Sequence, residues 1–182
     1  MTNQRNILVV DYDPSWPLTF AALRAPIWQA LADIALSVEH VGSTSIPGLA
    51  AKPIIDIDAI IASRADMSAA VERLAALGYA HSGTLGIEGR EAFESPAGPA
   101  HHLYVCVQGD IALANHLAIR DCLRRNPARA LAYGQLKKQL ARQFPADAES
   151  YVAGKTDFLV DVLRTAGFPD AALETIRESN RR

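Results

Sequence analysis

Cysteine is nearly absent. Cys106 and Cys122, alone in 182 residues, supply neither a disulfide framework nor a zinc-ligand spacing. Each lies among apolar neighbours, so both read as buried, inert thiols. The chain also lacks a long uncharged apolar run and a basic-then-apolar leader, which argues against a membrane partner and for a soluble, cytoplasmic protein. No Pro/Gly/Ser-rich linker, internal repeat or low-complexity tract divides it. Residues 1–182 are therefore expected to form one domain, strand-rich over 1–109 and helical over 110–182. That length buries roughly 70% of the surface its unfolded chain exposes. Strong net charge is missing too: at −2, without a dense basic patch, the sequence carries no nucleic-acid signature.

What charge there is lies unevenly. Residues 1–110 hold 6 Lys/Arg against 12 Asp/Glu, whereas residues 111–182 hold 12 against 8. One reading is a cleft with metal ligands on an acidic wall and phosphate receptors on a basic one. The other is a set of ordinary solvated helices.

One stretch concentrates the chemistry, running from Glu39-His40-Val41-Gly42-Ser43-Thr44-Ser45 through Lys52 to Asp56-Ile57-Asp58. It reads as a strand, a Gly/Ser turn, a loop with one lysine, and a second strand carrying two acids. Small residues in a tight turn let backbone amides and hydroxyls close on phosphate oxygens. Asp56 and Asp58, two apart on a strand, share a face at roughly 7 Å. Two carboxylates so placed grip one hard cation or bridge a pair. The turn is not a P-loop: Gly42 to Gly48 is one residue too long, Leu49 stands where the lysine belongs, and Pro47 removes a donor.

Gly42-Ser43 followed by Asp56-Ile57-Asp58 resembles the nucleotidyltransferase superfamily signature. The longer run HVGSTSIPGLAAKPIIDID, with Gly89-Arg90-Glu91-Ala92-Phe93, His101-His102-Leu103-Tyr104-Val105 and Arg120-Asp121-Cys122-Leu123-Arg124, resembles the GrpB family (UPF0157) over about residues 7–166. The resemblance implies an α/β (α+β) fold, a nucleotidyltransferase-like mixed sheet flanked by helices with a C-terminal helical portion. The family is sometimes found fused to dephospho-coenzyme A kinase. This sequence departs from the family pattern at Tyr104, where a second histidine of HHLHV is expected.

Along the chain, Ile7–Val10 reads as a short strand, and a helix is expected from Ser15–Pro17, its core stripe Trp16, Phe20, Leu23 and Ile27. Pro26 should kink or split it. On the strand Ile54 to Ile61 the acids share a face with Ile54 and Ile60 on either side, apolar company that predicts a partly enclosed site. Asp66 is expected to cap a helix closing at Gly78, and a glycine-rich hairpin and the strand His101 to Val107 follow. Asp110, Asn126–Pro127 and Asp147 open three further helices, and residues 170–182 read as a frayed turn or two.

In the helical part, Arg120 and Arg124 continue the apolar stripe of Leu113 and Leu117. Lys137 shares a side with Tyr133, Leu140 and Phe144, and Lys155 falls between Tyr151 and Phe158. Four cations on core-facing stripes need anions, unless they snorkel to water. The expected phosphate-binding set is His40, Gly42, Ser43, Thr44, Ser45, Lys52, Arg90, Arg120, Arg124, Lys137 and Lys155. Asp56 and Asp58 are the expected Mg2+ ligands, and with His102 the expected catalytic residues. His81 and His116 read as structural. The third carboxylate of a two-metal site is missing from His101–Val107, leaving Glu88, Glu91 and Glu94 as substitutes. The expected partner is a nucleotide or other phosphorylated small molecule, with nucleotidyl transfer as the chemistry. The alternative is a catalytically inactive module that binds a ligand or a protein partner.

Overall fold

The computed structural model describes residues 6–179. Helix α1 (Trp16–Leu31) starts after a turn in which the Ser15 amide donates to Asp13 Oδ1, with Pro17 in its first turn. Trp16, Ile27 and Leu31 are buried, while Phe20 and Leu23 pack partly buried against the same core. Pro26 does not split α1. Ala22 and Pro26 both lie on its exposed side, where the carbonyl deprived of its donor is left to water.

Five strands follow: β1 (Ala35–Val41), β2 (Ile55–Ile61), β3 (Ala80–Gly83), β4 (Arg90–Glu94) and β5 (His101–Val107), with α2 (Met67–Ala76) between β2 and β3. The sheet order is β1-β2-β5-β4-β3, and only the β2–β5 pair is parallel. Period-2 alternation gives β2 two faces. Ile55, Ile57, Ala59 and Ile61 join Leu103, Val105, Ala70 and Leu74 in the principal core. Asp56, Asp58 and Ile60 point the other way, toward the helices of the second half.

Those helices are α3 (Ile111–Arg125), α4 (Pro127–Gln143), α5 (Ala148–Thr165) and α6 (Asp170–Ser179). Asn126 and Asp147 cap α4 and α5 as their sequences predict, accepting the Arg129 and Ser150 amides at 3.0 Å. Asp66 and Asp110 occupy cap positions without making that bond. Ser63 instead caps a 3-10 turn, Arg64–Asp66, just before α2.

Two expectations are corrected at the ends. Ile7–Val10 forms no strand, only an antiparallel bridge between Val10 and Ala51. Residues 170–179 are a helix anchored by buried Leu173 against Val160 and Leu163, not a frayed turn; residues 180–182 lie outside the described residues. Cys106 is buried, which pushes its thiol pKa up, and Cys122 is half-buried. Among the described residues no helix is long and apolar enough to cross a membrane.

Candidate functional site

The Gly/Ser turn packs directly on the acid pair. Gly42 has φ +66°, and a Cβ built there would stand 2.1 Å from Asp56 Oδ2. Beyond it Ser43–Ser45 form one 3-10 turn whose hydroxyls do different work. Ser45 Oγ donates to the Gly42 carbonyl at 2.7 Å, and Thr44 Oγ1 donates to the Ile54 carbonyl at 3.1 Å. Both hold the turn in shape. Ser43 is left facing a cavity of about 130 Å³ that it shares with Lys52, Asp56, His102, Lys137 and Lys155.

The lysines come from three places, the loop before β2, α4 and α5, and converge on that cavity. Lys137 is 2% exposed and donates to Ser43 Oγ at 2.7 Å. Burial, then the charge of Lys155, lowers its pKa to about 7, with Asp56 opposing. Burial and then Lys52 lower Lys155 to about 8. The Lys52 and Lys155 ammonium groups stand 5.1 and 4.5 Å from the Tyr151 ring centre. Among the described residues the lysine found in an ion pair is Lys138, on the outer surface with Asp11. The three at the cavity have none.

Each aspartate holds an imidazole. His102 Nδ1 donates to Asp56 Oδ1 at 2.9 Å, and His116 Nδ1 to Asp58 Oδ2 at 2.8 Å. Asp58 is fully buried, and its Oδ1 has no hydrogen-bond partner. His116, read as structural, does not line the cavity and is satisfied by the buried Asp58, on the face that α3 turns toward the sheet with Leu113 and Leu117. His81 lies apart, bonded to Glu91.

The β2–β5 register sets His102 beside Asp56 and Tyr104 beside Asp58, where a further strand would present a third carboxylate. None of the proposed substitutes reaches it. Glu91 pairs with Val105 on the opposite face and engages His81 and Arg64. Glu88 lines a separate cavity near Arg64, and Glu94 is exposed opposite Ala80. Among the described residues no three His, Cys, Asp or Glu side chains converge as a metal cage. The donors do not fit a two-metal site. Asp56 lines the cavity, and the fully buried Asp58 has an orphan Oδ1, so a single Mg2+ would take its protein oxygens from these two carboxylates.

Four expected phosphate ligands stand elsewhere. His40 pairs with Ile57 rather than with an acid, so its ring points to the α1 side of the sheet. It stacks on Phe20 and bonds Thr44, and burial lowers its pKa to about 4. Arg120 bonds Glu39, Asp121 and the His40 carbonyl, and Arg124 donates twice to the Ser45 carbonyl. These arginines clamp β1 and the turn from behind. Arg90 lies on the acid face but stacks 4.2 Å over the Tyr104 ring. Arg120→Ala is expected to cost about 1–2 kcal/mol, since its charged bonds are partly shielded by a side chain only 12% exposed. Urea denaturation measures the loss.

The GrpB protein family model matches residues 6–165. The chain belongs to the GrpB family. UPF0157 protein YqkA of Bacillus subtilis is 35% identical over 157 residues, covering 86% of this chain and 46% of YqkA. The chain thus spans about half the length of that relative. The crystal structure of conserved protein GrpB from Enterococcus faecalis matches with a TM-score of 0.78 at 34% identity, over 92% of this chain and 98% of that one. Terminal uridylyl transferase 4 from Trypanosoma brucei, with bound UTP, matches at 14% identity and a TM-score of 0.50, over 86% of this chain and 52% of its own. At that distance only the fold is shared. The GrpB fold is a mixed α+β sheet of nucleotidyltransferase-like form.

Proposed function

We propose that this chain binds the phosphate end of a nucleotide, or of a similar phosphorylated small molecule, together with one Mg2+. The observation that carries the reading is the convergence of Lys52, Lys137 and Lys155 on one cavity with Ser43 and Asp56. Three lysines at one cavity without a carboxylate ion pair suit a ligand that brings its own negative charge. A volume of about 130 Å³ is well below the roughly 300–1,000 Å³ of a complete small-molecule pocket. It suits phosphates, with the remainder of the ligand in the adjoining groove along Ser95–His101, which shares Ile54 and His102 with the cavity.

In this arrangement Ser43 donates to a phosphate oxygen and the lysines neutralise the others. Asp56 and Asp58 would hold the cation, which when bound polarises a phosphoryl oxygen. His102, oriented by Asp56 and 53% exposed, stands at the mouth, placed to move a proton to or from an acceptor hydroxyl during in-line displacement. One observation favours a second reading, a catalytically silent ligand- or partner-binding module: His102 and Tyr104 occupy the third-carboxylate positions.

Adding Mg2+ with a nucleoside triphosphate is expected to raise the melting temperature, and Asp56→Asn to abolish the metal-dependent part while leaving the fold intact by circular dichroism. A nucleotide panel that leaves the melting temperature unchanged would sink the binding reading. A shift without pyrophosphate release into any acceptor mixture would favour the silent module.

A further inference from the structure

The Gly/Ser turn contains three hydroxyls, and only one is paired with an amine. Thr44 and Ser45 spend theirs on backbone carbonyls, whereas Ser43 Oγ lies 2.7 Å from Lys137 Nζ at the wall of the cavity. Serine and amine within hydrogen-bond reach, with the amine held by its surroundings, is the geometry of an activated nucleophile. Lys137 is held firmly. Gly134, one turn earlier on α4, sets that helix against the backbone at Leu49–Ala50, where an added Cβ would meet the Ala50 amide nitrogen at 3.4 Å. The Lys137 ammonium also rests 4.6 Å from the Tyr133 ring centre.

We infer that Ser43 and Lys137 form a nucleophile–base pair that takes a phosphoryl group from a phosphate anhydride onto the serine oxygen. The inference rests on the proposed function only in that the cavity admits a phosphoryl group. Lys137 Nζ, as free amine, accepts the Oγ proton while the Oγ–P bond forms. The bond from phosphorus to the leaving oxygen breaks, and that oxygen departs with the electron pair. Water then attacks phosphorus, its proton goes to a solvent base, and Ser43 regains a proton from the Lys137 ammonium.

The groups facing Lys137 are Lys155 and Tyr151 from α5, Lys52 from the loop before β2, Asp56 from β2, His102 from β5 and Tyr133 from its own helix. Burial and Lys155 bring its pKa to about 7, against Asp56, so free amine and ammonium are both well populated at neutral pH. Lys52 and Lys155 line the same cavity, their amine groups beside the Tyr151 ring, in reach of the oxygens of the transferred group.

The test is incubation with acetyl phosphate, with and without Mg2+, followed by peptide mass spectrometry. Here the leaving group is acetate, which departs without needing the proton. A phosphorylated Ser43 peptide is expected, absent from Ser43→Ala and formed about 100-fold more slowly by Lys137→Met. Its rate should rise with pH about a midpoint near 7. Should Lys137→Met fail to fold, the wild-type pH profile decides. Inorganic pyrophosphate that stabilises the protein while Ser43 stays unmodified would overturn the pair and leave the binding reading standing. Modification of Ser43 with no stabilisation by any nucleotide would do the reverse. A pH-independent rate, or equal labelling of Ser45, also overturns it.

Discussion

Replacing Gly42 by alanine is expected to destabilise the protein by about 2–6 kcal/mol. Two costs combine. At φ +66° and ψ −172° the backbone lies in a region essentially restricted to glycine, which costs a residue with a Cβ about 1–3 kcal/mol. The new methyl also falls 2.1 Å from Asp56 Oδ2 and 2.8 Å from its Cγ, an overpacking of the kind that costs about 1–3 kcal/mol. Asp56 cannot swing away freely, because His102 holds its other oxygen at 2.9 Å. The two costs separate in a double-mutant cycle. Adding Asp56→Ala to Gly42→Ala removes the colliding carboxylate and should recover most of the steric part, leaving the backbone part behind. Urea denaturation of the four proteins gives the coupling. Additive costs, or a single variant within about 0.5 kcal/mol of wild type, would mean that the turn does not press on Asp56 as described. The structural counterpart is that only glycine lets the Gly/Ser turn come so close to the strand that carries Asp56.

How far such relations could be read in advance depends on whether a pattern is local. The alternation of Ile54, Asp56, Asp58 and Ile60 already implied acids in an enclosed place, and Asp58 is fully buried. The strand His101–Val107 and the capped starts of α4 and α5 were legible because strand alternation and caps are set within a few residues. The inward stripes of Lys137 and Lys155 were legible for the same reason. What each cation meets was not. Arg120 and Arg124 share a stripe of α3, yet they end on Glu39 and the Ser45 carbonyl, because the crossing of α3 over β1 carries them to the edge of the sheet. His40 illustrates the same limit in a strand. Its face relative to the acids is decided by the β1–β2 register, and loop 42–54 is too long for its sequence to fix that register. His116 needed the identity of the strand beneath its helix, since a histidine on a helical stripe is as readily core as ligand.

The largest effect on binding is expected from pH, through the two lysines. In the free protein their pKa values lie near 7 for Lys137 and 8 for Lys155, while an unfolded lysine titrates near 10.4. Between those limits the unfolded chain binds more protons than the native one, so stability rises with pH, by up to about 1.4 kcal/mol per unit for each lysine that is neutral when folded. Well below pH 7 both are charged in both states and this contribution is flat. An anion in the cavity reverses the preference. It favours the charged amines, so binding takes up protons and affinity falls as pH rises above 7. Sulfate, which does not titrate in this range, is the clean probe. Its affinity is expected to drop at least about tenfold between pH 7 and pH 9, because each proton taken up contributes as much as a factor of ten per unit. Lys137→Met should bind more weakly at pH 7 and lose the part of the slope that begins there. Calorimetry in buffers of different ionisation enthalpy should register the uptake directly. Saturating sulfate should also flatten the rise in stability of the free protein. An affinity constant from pH 6.5 to 9.5 would show that the anion does not sit among these lysines. It would also remove the ground for placing phosphates beside Asp56.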